Sequence, residues 1–157
     1  MLKINLGSDN DIELKNLILD YNGTIAFDGK IIPGVKEKIY KLSKVLNIYI
    51  ITADTFGTVR DEFKDEKINI EIIDKKSSGT EYKKEFIKKI TKDNTIAIGN
   101  GYNDNAMLEK AVISIVIVGK EGAAVKTALN ADIMIDDILN ALDLLFNNNR
   151  LKATLRR

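Results

Sequence analysis

The chain contains no cysteine and no histidine. Without cysteine there is no disulfide framework, no thiolate nucleophile and no zinc ribbon. Without histidine there is no Ser-His-Asp machinery and no imidazole acid or base, and most zinc sites are ruled out. Any catalysis must run on Asp, Glu, Lys, Thr, Ser or Tyr. Arginine is scarce, with only Arg60, Arg150, Arg156 and Arg157. Readers of duplex nucleic acid lean on arginine, so this scarcity weighs against such a role. No charge sign is in excess either: 24 Lys and Arg stand against 23 Asp and Glu, a net of +1. No strong field draws the chain to nucleic acid or to a membrane. The longest apolar run, residues 111–118, is too short to span a bilayer and is interrupted by Ser114. Residues 1–7 lack the basic flank and apolar stretch of a signal peptide. The expectation from these absences is a soluble, cytoplasmic protein with neither a nucleic-acid nor a membrane partner.

What is present is enough for one domain over residues 1–157, with 45% apolar residues to build a core. Short apolar runs at residues 17–19, 48–51, 70–73, 95–98, 113–118 and 133–135 are β-branched and do not alternate cleanly. That is the pattern of parallel strands covered on both faces. Between them lie helix signals. Pro33 and Gly34 open a segment with Val35, Ile39, Leu42 and Leu46 near helical spacing. Further helices are expected over 55–67, 80–90, 103–111, 122–129 and 138–146, with Thr80 as the cap of the 80–90 helix. Residues 1–14 read as an added strand or hairpin turning at 8–11, and residues 147–157 as a polar, basic tail. The alternation predicts an α/β fold: a doubly wound, Rossmann-like three-layer sandwich around a mainly parallel sheet.

In such sheets ligands bind beyond the carboxyl ends of the strands. The polar residues at those ends are Asp20, Thr52 and the segment Gly99-Asn100-Gly101-Tyr102-Asn103-Asp104, with Lys83 inside the helix before that segment. A carboxylate, a hydroxyl, an ammonium and an amide-carboxylate loop thus meet at one rim. Gly23, Gly99 and Gly101 allow backbone N–H groups close to a ligand. The set suits phosphoryl transfer. Asp20 can attack phosphorus and carry an acyl phosphate. Thr52 and the N–H groups after Asp20 can hold the equatorial oxygens, and Lys83 can offset their charge. Asn100 and Asp104 can hold a hard cation through oxygen, and Mg²⁺ fits best. Singly these residues have plainer readings: Thr52 as a strand-end hydroxyl, Asp54 and the pair Asp136-Asp137 as helix caps, Lys88-Lys89 as a wet helix face. Their order along the chain is what makes the set specific.

That order, D-x-x-G-T, then apolar-T, then K, then G-N-G-x-N-D, resembles the haloacid dehalogenase superfamily over nearly the whole chain. Within it the chain is most similar to the soluble, P-type-ATPase-like group, through Asp20-Tyr21-Asn22-Gly23-Thr24, Thr52-Ala53-Asp54-Thr55-Phe56-Gly57 and the glycine loop. The resemblance implies Asp20 as nucleophile and Gly23, Thr52, Ala53 and Lys83 around the phosphate. It implies magnesium held by Asp20, the Asn22 carbonyl and the glycine-loop acid, for which Asn100 and Asp104 are the candidates. Two positions depart from the common pattern. Most relatives have an Asp at position 22 as general acid and base, and an amide cannot take that role at neutral pH. Asn22 therefore predicts slow turnover. Asn100 stands where most relatives have an Asp ligand, which predicts weaker magnesium binding.

Only 27 residues separate Thr24 from Thr52, too few for the cap domain many relatives carry. A capless, open site implies a large phosphorylated substrate or a homo-oligomer in which a neighbouring subunit covers the rim. ATP is a possible phosphoryl donor, although no Walker-type loop is present. Two other readings stay open: a catalytically weak phosphate-binding or regulatory module (a pseudo-phosphatase), and a receiver-like domain. Receivers place the acceptor Asp after the third strand, whereas Asp20 follows the first main strand.

Overall fold

A computed structural model of the chain describes residues 1–5, 11–53, 57, 59–63, 67–74 and 78–155. In chain order it shows β1 (Leu2–Asn5), β2 (Asp11–Leu14), β3 (Asn16–Asp20), β4 (Ala26–Phe27), β5 (Lys30–Ile31), α1 (Val35–Leu42), β6 (Asn47–Thr52), α2 (Val59–Glu62) and β7 (Ile68–Ile72). There follow α3 (Gly79–Lys89), β8 (Thr95–Gly99), α4 (Asn105–Lys110), β9 (Ile113–Ile117), α5 (Val125–Leu129), β10 (Ile133–Ile135), α6 (Ile138–Phe146) and α7 (Asn148–Leu155), with 3₁₀ turns at Lys92–Asn94 and Tyr102–Asp104.

Six strands form one parallel sheet in the order β10-β9-β8-β3-β6-β7. Every residue of β3, β8 and β9 is buried, as expected for strands covered on both sides. Alternate residues divide between two cores. Leu17, Leu19, Ile48, Ile50, Ile96 and Ile98 meet α1 and α6 through Ile39, Leu42 and Leu142. Ile18, Ile51, Ala97 and Val116 meet α3 and α4 through Ile87, Met107 and Leu108. The chain winds from β3 outward through β6 to β7, then returns to β8 on the other side of β3. The reversal lies between β3 and β8, and in such sheets ligands bind at the strands' carboxyl ends beside that point. The doubly wound α/β architecture expected from the sequence is therefore the one found. Among the described residues no helix is long and apolar enough to cross a membrane.

Local differences have physical causes. The cap of α3 is Ser78, whose hydroxyl accepts the Glu81 N–H, rather than Thr80. The strand expected over 70–73 begins two residues earlier, because Ile68 pairs with Ile48 and is buried. Helix α5 starts at Val125, later than the expected 122, since Gly122 takes a positive φ of 72°. Of the helix expected over 55–67, Val59–Glu62 is helical and Lys67 is not; most of the remainder lies outside the described residues. Asp137 does cap α6, accepting the Asn140 N–H. β1 and β2 pair antiparallel, with Leu2 opposite Leu14, and the turn expected at 8–11 lies largely outside the described residues.

The polar, basic tail expected over 147–157 is helical over Asn148–Leu155, as α7. Leu151 is fully buried in the larger core, and Leu155, four residues on, is packed against it. The Asn148 amide donates to the Lys3 carbonyl on β1, tying the hairpin to the helix. Leu151→Ala is therefore expected to lower stability by about 2–3 kcal/mol, near the lower end for a buried leucine because a terminal helix can relax. Urea unfolding measures it, and a loss below about 0.5 kcal/mol would mean α7 does not contribute to the core.

Candidate active site

Asp20 is the last residue of β3, and its neighbour across the ladder is Ile51. Thr52 therefore lies one residue further along the adjacent strand, buried, with its carbonyl accepting the Ile73 N–H. On the other flank β8 ends at Gly99, so Asn100 and Gly101 leave the sheet beside Asp20. Ala53 continues from Thr52 and is exposed at the rim. Asp54, Thr55 and Phe56 lie outside the described residues.

Lys83 sits on the inward face of α3, one turn before the buried Ile87. Its ammonium lies 2.5 Å from Asp20 Oδ1 and 2.5 Å from Asp104 Oδ1. Its side chain is 1% exposed, against 10% for Asp20 and 0% for Asp104. The three groups form a buried carboxylate–ammonium–carboxylate chain with one negative charge in excess. Burial works against the Lys83 charge, but the two carboxylates outweigh it and hold its pKa above the ordinary lysine value. Burial, with the Asp104 carboxylate, pushes the Asp20 carboxyl up to about 6 against the pull of Lys83.

A raised carboxyl pKa means that folding disfavours the Asp20 anion, so metal-free stability falls as pH rises from about 4 through about 6. Asp20→Asn removes that cost and leaves Lys83 paired with Asp104. In chelator at pH 7 the variant is expected to be more stable than wild type. The difference should close toward pH 4. Denaturant titrations across pH check this, and a gap independent of pH would contradict the cause given.

Asp104 is fully committed. Oδ1 accepts from Lys83, and Oδ2 accepts the backbone N–H groups of Asn100 at 3.0 Å and Gly101 at 2.9 Å. It fixes both the lysine and the loop. Gly99 is required by this packing, since a Cβ there would stand 2.6 Å from the Asp104 carboxyl carbon. Asn100 is held in turn: its Nδ2 donates to the Gly122 carbonyl, and its own carbonyl accepts the Ala124 N–H. This aims Oδ1 toward Asp20. Between them lies the buried Thr24 hydroxyl, 3.3 Å from Asp20 Oδ2 and 3.3 Å from Asn100 Oδ1. Gly23, at a φ of 79°, allows the close approach: a Cβ there would stand 2.3 Å from Asn100 Nδ2. Asn22 Oδ1 is buried with no hydrogen-bond partner, an acceptor left for a ligand or a water.

The structure thus gathers Asp20, Lys83, Asn100 and Asp104 in one hydrogen-bonded network, with Thr52 on the adjacent strand end and Asn22 and Gly23 in the turn that follows Asp20. It adds two participants to which the sequence reading gave no role. Thr24 bridges the two candidate cation ligands, a contact its D-x-x-G-T context could have suggested. The Gly122 carbonyl orients Asn100, and no sequence signal marks it. Among the described residues no three carboxylate side chains converge. A hard cation there would rest on Asp20 Oδ2 and Asn100 Oδ1, both oxygen, flanking an excess negative charge, and these fit such an ion.

The site thus places an aspartate, a lysine and a glycine loop at the switch point of a doubly wound sheet. Residues 37–137 match the family model of the haloacid dehalogenase-like hydrolases, and the chain belongs to that family. It is 46% identical over 90 residues to MJ0073, an uncharacterized protein of Methanocaldococcus jannaschii, a match spanning 54% of this chain and 97% of that one. Its fold is that of the 3-deoxy-D-manno-octulosonate 8-phosphate phosphatase of Moraxella catarrhalis, solved with magnesium, phosphate and the KDO molecule, at a TM-score of 0.63 and 16% identity over 92% of this chain and 95% of that one. The catalytic domain of the CPx-ATPase CopB is also similar, with a TM-score of 0.59 and 28% identity over 75% of this chain and 46% of that one.

Proposed function

We propose that the protein is a Mg²⁺-dependent phosphohydrolase working through an aspartyl-phosphate on Asp20, and that it turns over slowly. The observation that carries this reading is the Asp20 carboxylate, buried at a strand end between the Lys83 ammonium and the Thr24 hydroxyl. A carboxylate oxygen of Asp20 attacks phosphorus, and the bond from phosphorus to the substrate oxygen breaks. Lys83 and the backbone around Gly23, Thr52 and Ala53 offset charge on the transferring group. Water then attacks the phosphorus of the acyl phosphate, releasing phosphate and restoring the carboxylate. Magnesium, when bound by Asp20, the Asn22 carbonyl and Asn100, supplies charge neutralisation beside the nucleophile. Asp104 supports that set from behind, through the Asn100 and Gly101 N–H groups.

Asn22 sets the rate. Its unpartnered Oδ1 can orient a water by accepting its O–H, but it can neither give nor take a proton. The departing oxygen leaves without an acid, and the attacking water lacks a base. This supports a long-lived phosphoenzyme, in keeping with the P-type-ATPase-like motifs and the likeness to CopB, with ATP as one candidate donor. The test is phosphate release from acetyl phosphate, 4-nitrophenyl phosphate and ATP, with magnesium and with chelator. Magnesium-dependent, multiple-turnover release from any of them is the expected result. A single self-labelling event without turnover would favour the receiver-like reading, and neither signal in a folded protein would favour the phosphate-binding module.

Asn100 contributes an oxygen without charge. Asn100→Asp is expected to lower the magnesium concentration needed for half-maximal activity by about tenfold, the equivalent of roughly 1.4 kcal/mol. An unchanged magnesium titration would take Asn100 out of the cation site.

A further inference from the structure

A second concavity lies behind the turn that carries Gly23 and Thr24. It has a volume of about 390 Å³, within the range of pockets for small organic ligands. Its floor is apolar, built by Phe27, Ile31 and Ile32 in and just after the β4–β5 hairpin, by Ile117 at the end of β9 and by Ile138 at the start of α6. Gly23 and Thr24 form the wall nearest the nucleophile. The adjoining wall is the loop after β9, where a Cβ on Gly119 would stand 4.0 Å from the Gly23 carbonyl oxygen. The same loop supplies the Gly122 carbonyl that orients Asn100. The cavity and the reaction centre therefore share both of their walls.

Its charges are unbalanced. Asp28, Glu121, Asp136 and Asp137 face two lysines, Lys30 and Lys120. Among the described residues none of these six forms an ion pair. The Lys120 ammonium lies 5.2 Å from the centre of the Phe27 ring, closing one side of the cavity with a cation–aromatic contact. An apolar floor under an acidic rim accepts a ring and repels an anion.

We propose that this cavity receives the leaving group of the phosphoryl substrate, and that this group is ring-sized and uncharged or cationic. The proposal rests on the phosphohydrolase reading and adds the substrate class to it. The phosphoryl group would lie at Asp20, with the organic body running past Gly23 onto the Phe27 and Ile117 floor. A carboxylated body, or the anionic end of a nucleoside diphosphate, would meet the surplus carboxylates. The absence of an acid at Asn22 points the same way, toward a departing oxygen that is stable as an anion, such as that of a phenol or an enol.

The test is NMR on the full chain with isoleucine methyl and backbone amide labels, in magnesium, against three probes. Inorganic phosphate has no body, benzylphosphonate has a neutral ring, and phosphonoacetate has an anionic body. The Asn22 and Ala53 amides report the phosphoryl site, and the Ile31, Ile32, Ile117 and Ile138 methyls report the cavity. All three probes should move the amides. Benzylphosphonate should also move the cavity methyls, saturating at a concentration at least fivefold below phosphonoacetate. Ile138→Trp, which fills the cavity, should abolish the methyl response while phosphate still moves the amides. Amide shifts without methyl shifts, or equal methyl shifts with benzylphosphonate and phosphonoacetate, would overturn the proposal and leave the phosphohydrolase reading standing. Amides unmoved by all three probes would count against that reading itself, and the proposal would fall with it.

Discussion

Replacing Asp20 with alanine is expected to cut phosphate release by at least about 10³-fold and to abolish covalent labelling of the protein. Losing a covalent nucleophile removes the whole two-step route, and comparable deletions elsewhere cost up to roughly 10⁶-fold. The fold should survive the change. Asp20 closes a buried network with one surplus negative charge, and its own carboxyl is already pushed up to about 6 by burial and by Asp104. Asp20→Ala leaves Lys83 paired with Asp104 at 2.5 Å. A folded Asp20→Ala protein that hydrolyses phosphoesters within tenfold of wild type would rule out the covalent route, whatever else held.

The second large effect concerns Asn22. Asn22→Asp places a carboxyl where the unpartnered amide oxygen now sits. It restores a group able to protonate the departing oxygen and then to take a proton from water. Dephosphorylation should accelerate by about 10²–10⁴-fold, the usual contribution of a positioned general acid or base. The gain should fall mainly on breakdown of the phosphoenzyme, so the steady-state level of labelled protein should drop as turnover rises. Rapid quench separates the two rates. If Asn22→Asp changes neither rate while Asp20 remains essential, the slow step lies elsewhere and the role given to Asn22 is wrong.

Much of the sheet was legible because its strands are unusually plain. Buried parallel strands read as apolar runs, and Asp20, Thr52 and Asn100 stand where three of those runs stop. Lys83 was legible through helical spacing and motif order together. Its inward direction is explained by the buried Ile87, one turn on. What stayed hidden depends on contacts between distant parts of the chain. Nothing in the glycine loop tells whether Asp104 faces a cation or turns back to hold Lys83 and two backbone N–H groups. The Gly122 carbonyl carries no side chain to notice. Residues 147–157 read as a tail because they are mostly polar and basic, and Leu151 becomes a core residue only through packing against distant parts of the chain. The cavity beside Thr24 escaped for the same reason, since its walls come from three separated segments.

The central claim is that the phosphoryl group passes through Asp20. The most direct measurement is acid quench of the enzyme during turnover of acetyl phosphate, followed by borohydride reduction and peptide mass spectrometry. Reduction converts an aspartyl phosphate to homoserine and leaves free aspartate unchanged. The account predicts homoserine at position 20, at a level that falls in Asn22→Asp. Turnover with no homoserine, or homoserine at Asp28 or Asp104 instead, would contradict it.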